Sequence, residues 1–171
     1  MTDNEVHEAL VAWISGLTGV TVIKAHQSGP APALPYIMIN HTGTVDVRDH
    51  AAYVDYTDTG APIDPEDEAS KTKIRADVEI ETEWRFSVHA YGAIPPDILR
   101  PLKSAAKLAQ INEPLLPGLH IHEAGIINNV PDWINDAWEP RAQMPIYVRG
   151  VTTEGFVVDT IDDTSFNVSR A

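Results

Sequence analysis

Residues 78–91 alternate apolar and polar side chains, and this pattern constrains the fold more than any other feature of the chain. Side chains of a β-strand point alternately to its two faces, so the pattern predicts a strand with one face in a core and one polar face. The strand is longer than the usual length of about five to six residues. A strand that extends beyond its domain often pairs with a segment outside that domain. The inward positions are Val78, Ile80, Thr82, Trp84, Phe86, Val88 and Ala90.

An amphipathic helix is predicted over residues 5–17, because apolar side chains recur there at helical spacing. Asp3 or Asn4 is the expected cap at its start, and Gly16 or Gly19 is the expected end. The stripe that we expect to pack on the core consists of Val6, Ala9, Leu10, Trp13, Ile14 and Leu17.

A second helix is predicted to begin at Pro95 and Pro96, where a missing amide hydrogen costs nothing in the first turn. Pro101 marks either a kink or the start of the regular helix. Residues 112–118 close the helix. Its expected inner stripe is Leu99, Leu102, Ala105, Ala106, Ala109 and Ile111.

Shorter strands are predicted over residues 21–24, 36–42, 119–127 and 143–152. Prolines precede the second of these, so it suits a sheet edge or a strand start better than a sheet centre. Strands and helices that do not alternate strictly indicate an α+β fold. We therefore expect an antiparallel or mixed sheet with two helices on one face and a long projecting hairpin or loop.

Residues 43–76 are rich in acidic side chains and poor in large apolar ones, so they cannot form a core of their own. We interpret them as an acidic hairpin or loop inserted in a single domain that spans residues 1–171, with residues 153–171 as a C-terminal extension. Tyr53 and Tyr56 give the insert some capacity for contact. Loops of this length are usually functional or disordered.

The formal net charge of −13 argues against binding to a phosphate backbone, although not against DNA passing nearby. The chain has no cysteine, which excludes disulfides, thiolate catalysis and Cys-based zinc sites. No apolar run is long enough to cross a bilayer, and the acidic N-terminus does not resemble a secretory signal. These features are typical of a soluble protein made in the cytoplasm.

Motifs for catalysis are absent from the sequence: there is no Gly-x-Ser-x-Gly, Walker A loop, dinucleotide fingerprint or His-Glu-x-x-His. We expect no enzyme activity and no cofactor. His120 and His122 are weak metal candidates, because alternate residues of a strand share a face and Glu123 follows them. The alternative is that both are surface histidines on a strand whose inner face is Leu119 and Ile121.

Trp133, Trp138, Glu139 and Arg141 are candidates for contact between subunits, since Trp and Arg often anchor protein interfaces. Glu139 and Arg141 would point the same way in an extended chain and could form ion pairs with a neighbouring subunit. The alternative is a core Trp with a local surface pair. Arg85, on the polar face of the long strand, is a further candidate, together with the two tyrosines of the insert.

Three segments follow one another in a specific order between residues 20 and 150. The first is a proline-bearing start to an early strand at residues 29–36. The second is the long strand that ends in Tyr91 and Gly92, followed by the helix with Leu99 and Leu102. The third is residues 118–121, then a loop containing Trp138-Glu139-Pro140-Arg141-Ala142 and a strand over residues 144–148.

In this order and spacing the chain resembles the phage neck or tail terminator family. The resemblance implies an α+β domain without catalytic residues that assembles into a hexameric ring. Such a ring caps the tail tube, ends its polymerisation and offers a docking surface to the stopper or head-completion protein, and to the sheath of a contractile tail. The family's Glu-x-Arg-Ala element corresponds to Glu139, Arg141 and Ala142. The acidic insert is longer than the resemblance requires.

The same resemblance implies a place in the virion neck after assembly in the host cytoplasm, with DNA passing through the lumen without specific binding and no contact with a membrane. Another head–tail joining part, such as a stopper or a tail tube protein, is the alternative within phage structure. A small metal-binding enzyme using His120, His122 and Glu123 is the alternative outside it.

Overall fold

A computed structural model describes residues 1–66, 71–112, 115, 118–134 and 136–158. Three helices lie in these residues: α1 (Asp3–Thr18), α2 (Pro95–Ala105) and α3 (Ala109–Asn112). None of the helices in these ranges is long and apolar enough to cross a membrane. The strands are β1 (Thr21–Lys24), β2 (Tyr36–Asp46), β3 (Tyr53–Pro62), β4 (Thr72–Tyr91), β5 (His120–Ala124), β6 (Asn128–Asn129), β7 (Asp132–Ile134), β8 (Ala137–Glu139) and β9 (Arg141–Val158).

Seven of the described strands form one sheet in the order β1-β2-β4-β9-β5, with β3 beside the N-terminal part of β4 and β6 beside the start of β9. β1 pairs with β2 in parallel, and the other pairs are antiparallel. β7 and β8 form a separate two-stranded hairpin. The expected α+β fold with a mixed sheet is thereby confirmed.

The core lies between one face of the sheet and the helices α1 and α2. Apolar positions of β2, β4 and β9 that share this face are almost completely buried, as the alternation in residues 78–91 predicts for its central part. The main core side chains are Val6, Leu10, Trp13, Ile14, Ile37, Ile39, Trp84, Phe86, Val88, Leu99, Leu102, Met144, Ile146 and Val148.

The cap of α1 is Thr2, so the expectation of Asp3 or Asn4 was wrong. Thr2 accepts a hydrogen bond from the backbone of Glu5, and the Glu5 carboxylate accepts one from the backbone of Thr2. This reciprocal capping box satisfies two amide groups, which a cap one or two residues later would not do. Gly19 ends the helix in the left-handed conformation, as expected.

The predicted stripe of the second helix ends earlier than expected. Leu99, Leu102 and Ala105 are buried, but Ala109 and Ile111 are exposed, because α2 stops at Ala105 and the short α3 takes a new direction. The main-chain carbonyl of Ile111 accepts a hydrogen bond from Trp13 Nε1 over 2.9 Å. α3 therefore closes over α1 through its backbone.

Several strands differ from their predicted limits. β2 begins at Tyr36 as expected, but it lies inside the sheet between β1 and β4, because the short β1 takes the edge. Residues 119–127 do not form one strand: β5 ends at Ala124, and a register shift between Ile121 and Glu123 bends it. Such a bulge inserts one residue that the partner strand cannot pair.

The acidic segment over residues 43–76 is divided among three strands: its start belongs to β2, its centre contains β3 and its end belongs to β4. Residues 153–158 of the expected C-terminal extension form the end of β9. Residues 159–171 of that extension, and residues 67–70 of the insert, lie outside the described residues.

Candidate interaction surface

Three strands extend the sheet past the residues that pack under the helices, and we call this part the arm. It consists of β3 and the adjoining residues 72–80 of β4 and 151–158 of β9. No described residue of the arm belongs to the hydrophobic core cluster. A three-stranded sheet without a helix layer leaves both of its faces to solvent or to a partner.

One face of the arm carries an apolar row across all three strands. Tyr56 is paired with Ala76, and Ala76 with Phe156, so the three side chains lie side by side on the face that continues the core side of the sheet. Ala76 is only 5% exposed, whereas Tyr56 and Phe156 are 66% and 61% exposed. The two aromatic rings therefore present apolar surface near the two edges of the arm.

The opposite face of the arm is charged. Arg75 Nε lies 2.8 Å from Asp77 Oδ1, and both groups lie over Gly155 of β9. A Cβ atom at Gly155 would collide with the Asp77 carboxylate and the Arg75 guanidinium. Glycine at this position thus allows a positive group of β4 to reach across β9. Tyr53, 58% exposed, and Asp55 lie on the same face.

Trp133 and Trp138 lie together on the hairpin of β7 and β8. They are opposite each other in the register, and their rings meet edge to face with centroids 5.2 Å apart. Both are more than half exposed, at 55% and 65%. The interpretation of a core Trp is wrong for this pair, because the hairpin stands apart from the sheet and packs its indoles on each other. Exposed paired indoles are typical of an interaction surface.

Arg141 is engaged in contacts within its own chain. Its guanidinium forms an ion pair with Asp132 at 3.0 Å, and its Nε donates to the main-chain carbonyl of Val130 over 3.2 Å. These contacts tie the base of the Trp hairpin to β9. Within the chain, Arg141 thus helps to position Trp133 and Trp138.

Glu139 is half-buried near a stacked pair of tyrosines. The rings of Tyr36 and Tyr91 lie 4.6 Å apart at an angle of 12°. Burial, then the Tyr91 hydroxyl and the Glu139 carboxylate, raise the pKa of Tyr36. Glu139 and Arg141 have different intramolecular neighbours although they are two residues apart.

Arg85 belongs to a charged cluster around Glu83 on the face of the sheet opposite the helices. The buried Glu83 carboxylate accepts hydrogen bonds from Arg149 at 2.9 Å and from Arg85 at 3.0 Å. Burial acts to raise the pKa of Glu83, but the hydrogen bonds from Arg149 and Arg85 outweigh it and lower that pKa overall. The Arg85 guanidinium is about half exposed and lies 6.0 Å from the ring centroid of Tyr147.

His120 and His122 are brought near each other, with ring centroids 6.5 Å apart and the rings perpendicular. His122 is the unpaired residue of the β5 bulge, so the two side chains do not follow regular strand alternation. Burial, then His122 and Arg149, lower the pKa of His120. In the described part of the chain, no group of three His, Asp or Glu side chains is placed to hold a metal ion.

A Ser–His contact lies on the sheet face opposite the helices. Ser87 Oγ lies 2.9 Å from His89 Nε2, and Gln143 Nε2 donates to Ser87 Oγ over 2.8 Å. The Nδ1 atom of His89 is buried and has no hydrogen-bond partner among the residues that the structure describes. A nucleophilic serine normally needs a histidine that a third group orients through its second nitrogen. These side chains do not supply that group.

The structure thus places the candidates at separate sites. Tyr53 and Tyr56 lie on the arm, the two indoles lie on their own hairpin, and Arg85 lies on the sheet face opposite the helices. Sequence reasoning missed Arg75, Gly155 and Phe156. The signal for Gly155 and Phe156 was the β-branched and aromatic run at residues 151–158, which continues the strand.

Residues 4–170 match the family model described as phage neck terminator protein. No curated protein matches the chain. The family match covers nearly the whole chain and includes the core, the arm and the Trp hairpin. The chain therefore belongs to the phage neck terminator family and is a structural protein of the virion neck, where it contacts other proteins of the head–tail junction.

Proposed function

We propose that this chain assembles into a hexameric ring at the head-proximal end of a phage tail, where it ends the tail tube and joins it to the head. The observation that carries the proposal is the family match over residues 4–170. In this role the chain is not an enzyme and needs no cofactor. Its partners are the tail tube protein below and the stopper or head-completion protein above, with the sheath added in a contractile tail.

The arm supports assembly with further copies. It exposes aromatic side chains beyond the core, and patches of this kind on a soluble protein usually mark contact surfaces. A ring of identical subunits needs two different surfaces that meet head to tail and close by rotation. The arm has two different edges, formed by β3 and by the end of β9.

The charge supports free passage of DNA. With 25 acidic and 12 basic residues, a ring of this chain has few sites at which it could hold phosphates. An acidic lumen repels the backbone, so DNA would pass without specific binding. Assembly in the host cytoplasm and final placement in the virion neck follow from the same role.

Solution mass tests this proposal. Light scattering on the purified chain, at several concentrations and salt concentrations, should give a closed species of about six times the subunit mass of 18.7 kDa. A mass that stays at one subunit under every condition would contradict self-assembly. Electron microscopy of tails carrying the labelled chain would separate a terminator from a stopper or a tube subunit, because only the terminator lies at the junction of tube and neck.

A further inference from the structure

The main chain of β3 has hydrogen-bonding groups that face away from the sheet. The carbonyl of Glu79 accepts a hydrogen bond from the amide of Ala52, so Glu79 and its alternate neighbours on β4 point towards β3. Their partners Tyr53, Asp55 and Thr57 then point towards β4. The groups of Val54, Tyr56 and Asp58 are left on the outer edge, which no described strand covers.

The end of β9 has a second outer edge. Since the odd-numbered residues of β4 point to β3, its even-numbered residues point to β9 and bond to residues 152, 154, 156 and 158. The N–H and C=O groups of Thr153, Gly155 and Val157 therefore face outwards. The same alternation holds earlier in β9. There the amides of Val130 and Gly125 donate hydrogen bonds to the carbonyls of Arg141 and Pro145, on the side of β9 that faces away from β4. No described strand pairs with this side of residues 151–158.

These two edges match in only one way if the apolar face is to remain continuous. Tyr56 points its main-chain groups outwards, whereas Phe156 points its own towards β4. In a parallel ladder a residue bonds to the two residues that flank its opposite neighbour, so Tyr56 can lie opposite Phe156 and bond to Gly155 and Val157. An antiparallel ladder would instead set Tyr56 opposite Gly155 or Val157 and bring the apolar face of one copy beside the charged face of the next.

Rotation around a ring also favours the parallel arrangement. β3 and β9 are both antiparallel to β4, so they run in the same direction within one arm. A rotation that continues the sheet from one copy to the next preserves strand direction, whereas a two-fold axis would reverse it. The direction that the ring requires is thus the one that the hydrogen-bonding groups allow.

We propose that the outer edge of β9 pairs in parallel with the outer edge of β3 of a neighbouring copy, with Phe156 opposite Tyr56 of that copy. This inference rests on the proposed ring. Tyr56 donates its amide to the carbonyl of Gly155 and accepts from the amide of Val157. The apolar row of each arm then continues into the next arm, and both free edges are covered.

Charge supports the same register independently. Placing Tyr56 opposite Phe156 brings Asp55 of the neighbouring copy opposite Gly155, on the charged face. The Arg75 guanidinium lies over Gly155 because that residue has no side chain. The Asp77 carboxylate also lies over Gly155, paired with that guanidinium, so Asp55 of the neighbouring copy would add a second carboxylate beside Arg75. Opposite charges on adjacent strands stabilise pairing.

Charge reversal provides the first test. Asp55→Arg and Arg75→Asp should each weaken assembly by about tenfold or more, because like charges then meet at every contact between copies. An equal mixture of the two variants should restore assembly. In a ring of six copies in which the two variants alternate, an Arg side chain meets an Asp side chain at every contact. Failure of the mixture to assemble better than either variant alone would overturn the register.

A backbone substitution tests the pairing itself. Val157→Pro removes an outward amide and leaves the β4–β9 ladder intact, so it should weaken assembly while the subunit stays folded by circular dichroism. The control Val157→Thr keeps the amide and should assemble as the unaltered chain does. If the unaltered chain forms a ring and Val157→Pro forms the same ring equally well, the edge pairing is wrong while the ring stands. If the unaltered chain never assembles, the result contradicts the proposed ring and not only the edge pairing.

Cross-linking gives the geometry, because the chain has no cysteine of its own. A mixture of Tyr56→Cys and Phe156→Cys should form covalent dimers with a short bismaleimide, and neither variant alone should do so. A mixture of Tyr53→Cys and Phe156→Cys is the control, since these side chains lie on opposite faces. Dimers formed by Phe156→Cys alone would indicate a two-fold contact and contradict the head-to-tail pairing.

Discussion

Trp84 Nε1 donates a hydrogen bond to Oδ1 of Asp3 over 2.7 Å, which joins the centre of β4 to the first turn of α1. Trp84 is fully buried, and its donor would otherwise have no solvent to bond. The same carboxylate oxygen accepts a hydrogen bond from Thr44 Oγ1 at 3.1 Å. Asp3 therefore fixes the helix against two strands of the sheet and does not act as its cap.

Removing this acceptor should destabilise the subunit. We expect Asp3→Ala to lower the free energy of unfolding by roughly 1–3 kcal/mol, because it leaves the buried indole N–H unsatisfied. Urea unfolding followed by Trp fluorescence measures the change. Asp3→Asn keeps an acceptor oxygen and is the matched control. Equal stability of Asp3→Ala and the unaltered chain would mean that this contact contributes nothing to the fold.

The Glu83 cluster predicts a dependence of stability on pH. The pKa of Glu83 is lower in the folded chain than in the unfolded one, so its contribution is present above the unfolded value and is lost as pH falls through the folded value. We expect Glu83→Gln to be less stable than the unaltered chain at pH 7 by roughly 1–3 kcal/mol.

Unfolding free energies of the two proteins, measured from pH 7 down to the acid range, check this sign. The gap between them should narrow as Glu83 of the unaltered chain becomes protonated. A gap that widens towards low pH would contradict the role given to Arg85 and Arg149.

Two glycine substitutions should have opposite effects. A Cβ at Gly150 would lie 2.7 Å from Leu119 Cδ2 and 2.9 Å from the carbonyl of Gly118, so Gly150→Ala should destabilise the subunit by about 1–3 kcal/mol. Gly16 lies within α1 with open space around it, so Gly16→Ala should stabilise by about 0.5–1 kcal/mol. Thermal unfolding of both variants tests the pair. Equal shifts in Tm would mean that the crowding at Gly150 is relieved without cost.

The Trp hairpin should contribute to contacts with other proteins and little to the fold. We expect Trp138→Ala to change the free energy of unfolding by less than about 1 kcal/mol, because the side chain is mostly exposed. The substitution should instead reduce the joining of tails to heads, measured as the fraction of complete particles in a complementation assay. Trp13→Ala, at a buried position, is the contrasting variant and should cost roughly 3–5 kcal/mol. A large loss of stability in Trp138→Ala would make the indole pair structural.

His120 and His122 give a prediction about metal. The double variant His120→Ala/His122→Ala should have the same free energy of unfolding and the same assembly as the unaltered chain, because no third ligand lies beside the pair in the described residues. Elemental analysis of the purified chain should find metal well below one equivalent. One equivalent of zinc that is lost in the double variant would restore the alternative of a metal site.

The sequence predicted what depends on neighbours along the chain. Alternation placed Trp84 and Phe86 inward, and periodicity placed Leu10 and Leu99 on the inner faces of their helices, since each pattern reports one face of one element. The interface candidates could be chosen by residue type. Residue type could not show whether Arg141 was free to reach a neighbour, because its ion pair with Asp132 depends on how the hairpin folds back.

The remaining differences arise from contacts between distant residues. The buried state of Glu83 depends on Arg149, which comes 66 residues later. β2 lies inside the sheet because the short parallel strand β1 pairs with its outer side. Amino-acid composition does not indicate which of these two strands lies at the edge. The edges of the arm could not be recognised either, because residues 153–158 were interpreted as the start of a C-terminal extension, whereas β9 continues along the whole outer part of β4.

The unbroken register between β4 and β9, from Ile74 to Tyr91, also determines how the protein resists force. A pull on the arm along its strands loads this ladder in shear, so many hydrogen bonds perpendicular to the force share it at once. Peeling, in which pairs fail one after another, would require a pull across the strands. A neighbour paired with the end of β9, as proposed, would transmit tension along the strands into the region beneath α1 and α2, so the mechanically resistant direction of the chain would run through the arm.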